Sequence, residues 1–172
     1  MIKFLTILFF TSFIYTIYIS SVCTCPPMRL SDHQEYEVEN SEYIFIGEVL
    51  EIDNSAETYL VKVIENLKNC DNEGVIYIGK NWPTCNPIID SKGKWLIYAN
   101  LDKDYMKVNA CGISRSLDNP QKVFSSILPP IPQKNETKEE YLVKRNEWKI
   151  ANKKKSKEDL NNEIKTLKEK FE

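Results

Sequence analysis

Five cysteines are the residues of this 172-residue chain whose types and spacing could do chemistry: Cys23, Cys25, Cys70, Cys85 and Cys111. The first two are one residue apart, in the stretch Cys23-Thr-Cys-Pro-Pro27, directly after a long apolar run. Such a pair could exchange electrons, bind a metal or begin two separate disulfides. A redox role would require both thiols to stay reduced, and the spacing is not the Cys-x-x-Cys of thioredoxin-like sites. A disulfide between the two would close a strained ring, so each is expected to bond to a distant cysteine.

The N-terminus indicates the compartment in which these cysteines lie. Residues 4–22 form a run of 19 residues without a charge, preceded by Lys3. A basic start, an apolar stretch and small polar residues at its end are typical of a secretory signal peptide. The run is also long enough to span a bilayer, so an uncleaved membrane anchor is the alternative. We therefore expect residues 1–22 to direct export, and the protein to be secreted or anchored in the cell envelope, where disulfides form.

Charge is distributed unevenly over the rest of the chain. Residues 23–133 carry 10 basic and 16 acidic residues, a net charge of −6, whereas residues 134–172 carry 12 and 9, a net charge of +3. A nucleic-acid-binding surface needs clustered positive charge, so the acidic part is not expected to bind nucleic acid. The only histidine of the sequence is His33, in a polar segment, and no Ser-His-Asp arrangement is evident. We expect no enzymatic activity.

Short strands must position the cysteines. Apolar, β-branched and aromatic residues alternate between clusters of Gly, Asp, Asn and Pro, which predicts five strands. The strands cover residues 43–52, 58–64, 74–79, 94–99 and 105–109. No long helical pattern interrupts them. The sequence therefore predicts a mostly β fold, a five-stranded antiparallel barrel of the OB type, with short flanking helices.

Helical patterns lie on both sides of the strands. Ser31-Asp-His-Gln34 matches a capping box and predicts a helix over roughly residues 32–39, with a polar loop as the alternative. Pro120 begins a second predicted short helix, residues 121–128, which Pro129 and Pro130 end. The expected organisation is a signal peptide over 1–22, a barrel domain over 23–128, and a proline linker with a charged helical tail over 129–172.

The tail carries an apolar seam at coiled-coil-like spacing, formed by Leu160, Ile164, Leu167 and Phe171. Because the seam lasts under two heptads, docking of one amphipathic helix on the domain's own surface is favoured. Binding of a partner through the tail is the alternative.

The ordered cysteines and strands resemble the N-terminal, netrin-like domain of the tissue inhibitors of metalloproteinases. The resemblance covers residues 23–128 and begins at Cys23-Thr-Cys-Pro-Pro27, since that family starts its mature chain with Cys-x-Cys and nearby prolines. It continues through residues 41–49, 59–63, 94–98 and 108–111. The family's third cysteine, shortly after the first two, and its cysteine-rich C-terminal domain have no counterpart in this sequence.

The resemblance implies a disulfide framework and an inhibitory mechanism. It pairs Cys23 with Cys85 and Cys25 with Cys111, which leaves Cys70 unpaired. In the family, the α-amino group and carbonyl of the first cysteine chelate the catalytic zinc of the target protease. By position that cysteine is Cys23, and Thr24 points toward the specificity pocket. The other contact residues implied are Pro26, Pro27, Pro83 and Thr84.

The implied partner is an extracellular zinc metalloprotease, and the zinc belongs to that target, so no cofactor of the protein's own is expected. Chelation requires a free amine on Cys23, and hence cleavage of the peptide bond between Val22 and Cys23. The alternative function is that of an extracellular netrin-like binding module that inhibits no protease, since one fold can host varied binding roles.

Overall fold

A computed structural model describes residues 25–70, 73–81 and 89–171 of the chain. These residues form helices at both ends and strands between them. The elements are α1 (Leu30–Asn40), β1 (Tyr43–Asp53), β2 (Thr58–Lys68), β3 (Ile76–Lys80), β4 (Gly93–Asp102), β5 (Tyr105–Val108), β6 (Arg115–Ser116), a 3-10 helix (Pro120–Lys122) and α2 (Lys138–Phe171). The five predicted strands are confirmed, and the two-residue strand β6 adds to them.

The first five strands close into a barrel in the order β1-β2-β3-β5-β4, with β4 pairing back to β1. All of these neighbours pair antiparallel except β3 and β5, where Gly79 and Lys80 lie parallel to Met106 and Lys107. The prediction of an antiparallel barrel is therefore wrong at this seam, and the barrel is mixed. The reason is connectivity: the strand direction reverses at every step along the chain, so β3 and β5 run the same way when they close the barrel.

The inward-facing side chains of the strands form an interior cluster. Its buried members are Phe45, Val49, Tyr59, Val61, Val63, Ile89, Trp95, Ile97, Ala99, Met106 and Val108. The members on strands alternate because successive side chains point to opposite faces, and Ile89 joins them from the chain before β4. The Tyr59 ring lies over Gly79, its partner on the neighbouring strand β3, where an added Cβ would lie 2.0 Å from the ring. A side chain at that position would therefore displace the tyrosine.

A second layer of apolar side chains, the outer cluster, lies between the barrel wall and the two helices. Its buried members are Ile44, Ile46, Leu67, Leu96, Tyr98, Ile113, Leu160 and Leu167. The outward faces of β1 and β4 are thus covered at Ile44, Ile46, Leu96 and Tyr98, and Val38 of α1 packs against the same cluster. Burying a leucine side chain such as that of Leu160 contributes about 1.5–3 kcal/mol.

The predicted tail is the long helix α2, which docks on the barrel. Thr137 and Glu140 form a capping box at its start, because the Thr137 amide donates to Glu140 Oε2 (2.9 Å) and the Glu140 amide to Thr137 Oγ1 (3.3 Å). Leu160 and Leu167 of the seam are buried in the outer cluster, and Ile164 packs against it. Phe171 is 37% exposed. Docking on the domain's own surface, the favoured interpretation of the seam, is therefore confirmed.

Two local predictions are wrong: the capping box that begins at Ser31 and the helix over 121–128. Helix α1 itself is confirmed, but its first residue is Leu30, and the cap residue Arg29 makes no side-chain capping bond. The predicted helix over 121–128 is limited to the 3-10 turn Pro120–Lys122. At the end of the predicted helix, side chains of α2 form the hydrogen bonds of the Ile127 backbone in place of helical ones. The Ile127 amide donates to Asn152 Oδ1 (2.9 Å), and its carbonyl accepts from Trp148 Nε1 (3.0 Å).

Candidate functional site

The structure describes part of the predicted site. Cys25, Pro26 and Pro27 at the start of the described chain are exposed, and Cys111 and Cys70 are half-buried. The other predicted contact and cysteine residues lie outside the described residues: Cys23, Thr24, Pro83, Thr84 and Cys85. The predicted Cys23–Cys85 disulfide therefore stays a prediction.

A disulfide joins Cys25 to Cys111 across 86 residues of sequence, with 5.3 Å between their Cα atoms. This is the pairing that the family resemblance implies. In the chain-entropy model, closing a loop of this length stabilises the folded state by about 4–5 kcal/mol. The bond attaches the chain before α1 to the loop that follows β5, and so fixes an exposed segment to the barrel.

The segment between this disulfide and α1 has no regular secondary structure. Pro26 and Pro27 lack backbone N–H groups and have restricted φ angles, which stiffens the chain where no ladder supports it. Arg29 pairs with Asp32 in the first turn of α1, with 3.0 Å between Nε and Oδ2. This arrangement lowers the pKa of the Asp32 carboxyl, chiefly through the hydrogen bond from Arg29. Stiff residues and an anchor at each end limit the conformations of the segment.

The side chains of Asn109 and Glu37 position the loop that contains Cys111, and the sequence did not predict this role. Asn109 Oδ1 accepts a bond from the Cys111 amide (3.1 Å), and Asn109 Nδ2 donates to Glu37 Oε1 (2.7 Å). The other oxygen of Glu37 accepts from Ser41 Oγ (3.2 Å). Glu37 is 2% exposed, although it is a charged residue type in a short polar helix. Only its helical position, which faces the barrel together with Val38, could have indicated this burial.

Burial raises the pKa of the Glu37 carboxyl above its ordinary value, since a low-dielectric environment disfavours the charged form. The hydrogen bonds from Asn109 and Ser41 act in the opposite direction and offset part of this effect. A cavity of about 480 Å³ adjoins the carboxyl, and Tyr36, Asn100 and Lys107 contribute to its lining.

A second buried polar cluster connects both helices to the barrel. Glu163 of α2 forms an ion pair with Arg115 of β6, and both side chains are almost completely buried. The same carboxylate accepts bonds from Tyr98 Oη (2.5 Å) and Gln34 Nε2 (2.8 Å). Burial, followed by the Glu163 carboxylate, raises the pKa of the Tyr98 phenol. Glu163 falls between Leu160 and Leu167 on the seam, but no pattern in the sequence identifies Arg115 as its partner.

The remaining singled-out residues lie elsewhere. Cys70 packs against the interior cluster, and its backbone amide donates to Asn66 Oδ1 (3.1 Å). The prediction that it forms no disulfide stays a prediction. His33 of α1 lies edge-to-face with Phe124 at 6.0 Å between ring centroids. A groove of about 370 Å³ runs between the two helices, with Leu30, Val38 and Leu167 in its lining.

Within residues 25–70, 73–81 and 89–171, no three His, Cys, Asp or Glu side chains are grouped as metal ligands would be. Over the same residues, neither helix has a stretch apolar enough to cross a bilayer. When the chain is compared with known proteins, no family model matches it, and no curated protein matches it.

Proposed function

We propose that the protein is a secreted inhibitor of zinc metalloendopeptidases, similar to the one-domain form of the tissue inhibitors of metalloproteinases. The observation that carries the proposal is the Cys25–Cys111 disulfide. It fixes an exposed, proline-containing segment to a barrel, two residues after the position where the family places its zinc-chelating amine.

The barrel supports the netrin-like assignment. OB-type folds are five-stranded Greek-key barrels that bind ligands through a strand face and the loops beside it, and the strand count of this barrel fits that description. The disulfide also fits export, because disulfides persist in oxidising compartments. A cleaved signal peptide over residues 1–22 would supply both the export and the new N-terminus.

The proposed mechanism uses the first residue of the mature chain. Catalytic zinc sites keep one coordination position open for water or substrate. The α-amino group and carbonyl of Cys23 would take this position in the target, while Thr24 enters the pocket next to it. A free α-amino group has a pKa of about 8, so a neutral amine is accessible near neutral pH.

The segment behind the chelating residue has to be rigid for tight binding. Ordering a flexible loop on association costs free energy, and a segment that is already ordered avoids much of this cost. Pro26, Pro27 and the bond from Cys25 to Cys111 supply this order on one side. Pro83 and Thr84, brought next to Cys23 by a Cys23–Cys85 bond, would extend the contact surface.

The test is inhibition of a panel of zinc metalloendopeptidases by the secreted protein, after its N-terminus has been sequenced. We expect a start at Cys23 and tight inhibition. One alanine added before Cys23 should weaken inhibition by at least about 100-fold, since the amine becomes an amide and the loss of chelation costs several kcal/mol. The matched control carries one alanine after Glu172 and should inhibit as the unmodified protein does. A mature chain that begins at Val22 or earlier would disprove the proposal.

The second candidate is an extracellular binding module that inhibits no protease. It is favoured by the outward face of β3, where Ile76 is 54% and Ile78 47% exposed. Failure to inhibit any protease of the panel, with a mature chain that does start at Cys23, would favour this candidate.

A further inference from the structure

Helix α1 is connected to the disulfide through two side chains. Glu37 Oε1 accepts from Asn109 Nδ2 at 2.7 Å, and Asn109 Oδ1 accepts from the amide of Cys111 at 3.1 Å. Cys111 is bonded to Cys25. A continuous series of bonds therefore connects the buried carboxyl of Glu37, in α1, to the exposed segment of residues 25–29 that precedes this helix.

The loop after β5 is shaped to fit this carboxyl. The amide of Gly112 donates to the carbonyl of Asn109 at 2.9 Å, which closes a tight turn around Cys111. A Cβ on Gly112 would lie 2.8 Å from Glu37 Oε1 and 3.0 Å from Asn109 Cβ. These distances are shorter than ordinary contacts, so any larger residue at position 112 would push the turn and the carboxyl apart.

Glu37 has a fixed position because α1 is held independently at two other points. At the C-terminal end of the helix, Lys68 Nζ donates to the carbonyls of Val38 (2.8 Å) and Ser41 (2.6 Å). Near its N-terminal end, Gln34 donates to Glu163 of α2. These bonds attach the helix to β2 and α2, so that it can act as a support for the loop that carries Cys111.

We propose that Glu37 is a positioning residue for the exposed segment of residues 25–29: through Asn109 it holds the Cys111 loop, and the disulfide passes this constraint to Cys25. The consequence for protease inhibition rests on the proposed function. The consequence for the disulfide does not, and this difference separates the two in an experiment.

The first measurement is the rate at which dithiothreitol reduces the Cys25–Cys111 bond in the folded, full-length protein, followed by alkylation and mass spectrometry. Glu37→Ala removes the acceptor of Asn109 and Ser41, and Asn109→Ala removes the bonds to Glu37 and to the Cys111 amide. We expect each change to accelerate reduction about tenfold. Glu37→Gln keeps an oxygen that accepts from Asn109 and should restore a rate within about threefold of the unmodified protein.

Two further variants keep the test decisive. Gln34→Ala removes a bond from the same helix, but toward α2, and Lys68 still holds the end of α1 nearer to Glu37. It should therefore accelerate reduction by less than about twofold. Gly112→Ala disturbs the Glu37 contact from the loop side and should accelerate reduction even if Glu37→Ala fails to fold. Equal reduction rates for Gln34→Ala and Glu37→Ala would overturn the proposal, because any weakening of α1 would then have the same effect. A rate for Gly112→Ala equal to that of the unmodified protein would also overturn it.

The second measurement is inhibition of a zinc metalloendopeptidase by the same variants. We expect Glu37→Ala to weaken inhibition about tenfold, mainly through faster dissociation, and Glu37→Gln to restore it. If the unmodified protein inhibits nothing while the reduction rates change as expected, the proposed function is wrong and the positioning role stands. If inhibition is strong and Glu37→Ala reduces neither the binding nor the resistance of the disulfide, the positioning role is wrong and the function stands.

Discussion

The interior cluster and the outer cluster are built on opposite faces of the same strands, yet they differ in chemistry. The polar side-chain atoms of the buried interior cluster are the Trp95 indole nitrogen, which donates to the carbonyl of Ser91, and the Tyr59 hydroxyl, which has no hydrogen-bond partner among the described residues. The outer cluster surrounds the Arg115–Glu163 pair and adjoins buried Glu37. Apolar side chains of suitable volume are sufficient to fill the interior cluster. The outer cluster also requires specific polar atoms to be paired, so it determines where the two helices dock.

The largest expected effect is in the outer cluster, for Glu163→Ala. This change leaves the fully buried Arg115 without its counter-ion and removes the acceptor of Tyr98 and Gln34. We expect a loss of about 3–5 kcal/mol in the free energy of unfolding, measured in urea under non-reducing conditions. Glu65→Ala, which removes the half-exposed partner of Lys168 at the same helix, is the matched control. It should cost less than about 1 kcal/mol.

The double variant Arg115→Met with Glu163→Leu tests whether charge or packing maintains the outer cluster. A buried ion pair loses much of its attraction to desolvation, and apolar residues of similar volume often replace it without loss. We therefore expect the double variant to cost less than about 2 kcal/mol, and less than Glu163→Ala alone. If the double variant costs as much as Arg115→Met and Glu163→Leu added together, the two side chains contribute to stability independently and the ion pair between them adds nothing.

The interior cluster should tolerate a change of shape that conserves volume. Met106 is fully buried among apolar neighbours, and Met106→Leu is expected to cost less than about 1.5 kcal/mol. Tyr98→Phe, an equally small change in the outer cluster, removes the hydroxyl that donates to Glu163 and should cost more, about 1.5–3 kcal/mol, because that bond is to a charged group. Urea unfolding of both variants measures the difference, and equal costs would contradict the distinction between the clusters.

The same distinction explains which parts of the structure could be predicted from the sequence. Alternation and the turn residues between the segments predicted all five barrel strands. Docking of α2 followed from the spacing of Leu160 and Leu167. The parallel seam could not be found, because periodicity within a strand contains no information about its neighbour. Glu37, Arg115 and Glu163 were missed for a similar reason: burial of a charged residue depends on a partner 48–72 residues away in sequence.

The smallest expected effect concerns pH and the carboxyl of Glu37. Burial raises its pKa in the folded protein, so the stability that depends on its protonated form is present below the ordinary carboxyl pKa and is lost as pH rises through the raised, folded-state pKa. Glu37→Gln cannot ionise. We therefore expect the free energy of unfolding of the unmodified protein, relative to that of Glu37→Gln, to fall as the pH increases from 4 to 8.

Exposed carboxyls whose pKa is lowered, such as those of Asp53 and Asp102, act in the opposite direction. They are present in both proteins, so their contribution cancels in the difference. Urea unfolding of the two proteins at several pH values in this range provides the measurement. A difference that does not change with pH would mean that Asn109 and Ser41 fully offset the burial of Glu37. The carboxyl would then titrate alike in the folded and unfolded protein, and above its ordinary pKa its contact with Asn109 would be a charge-assisted bond that Glu37→Gln weakens.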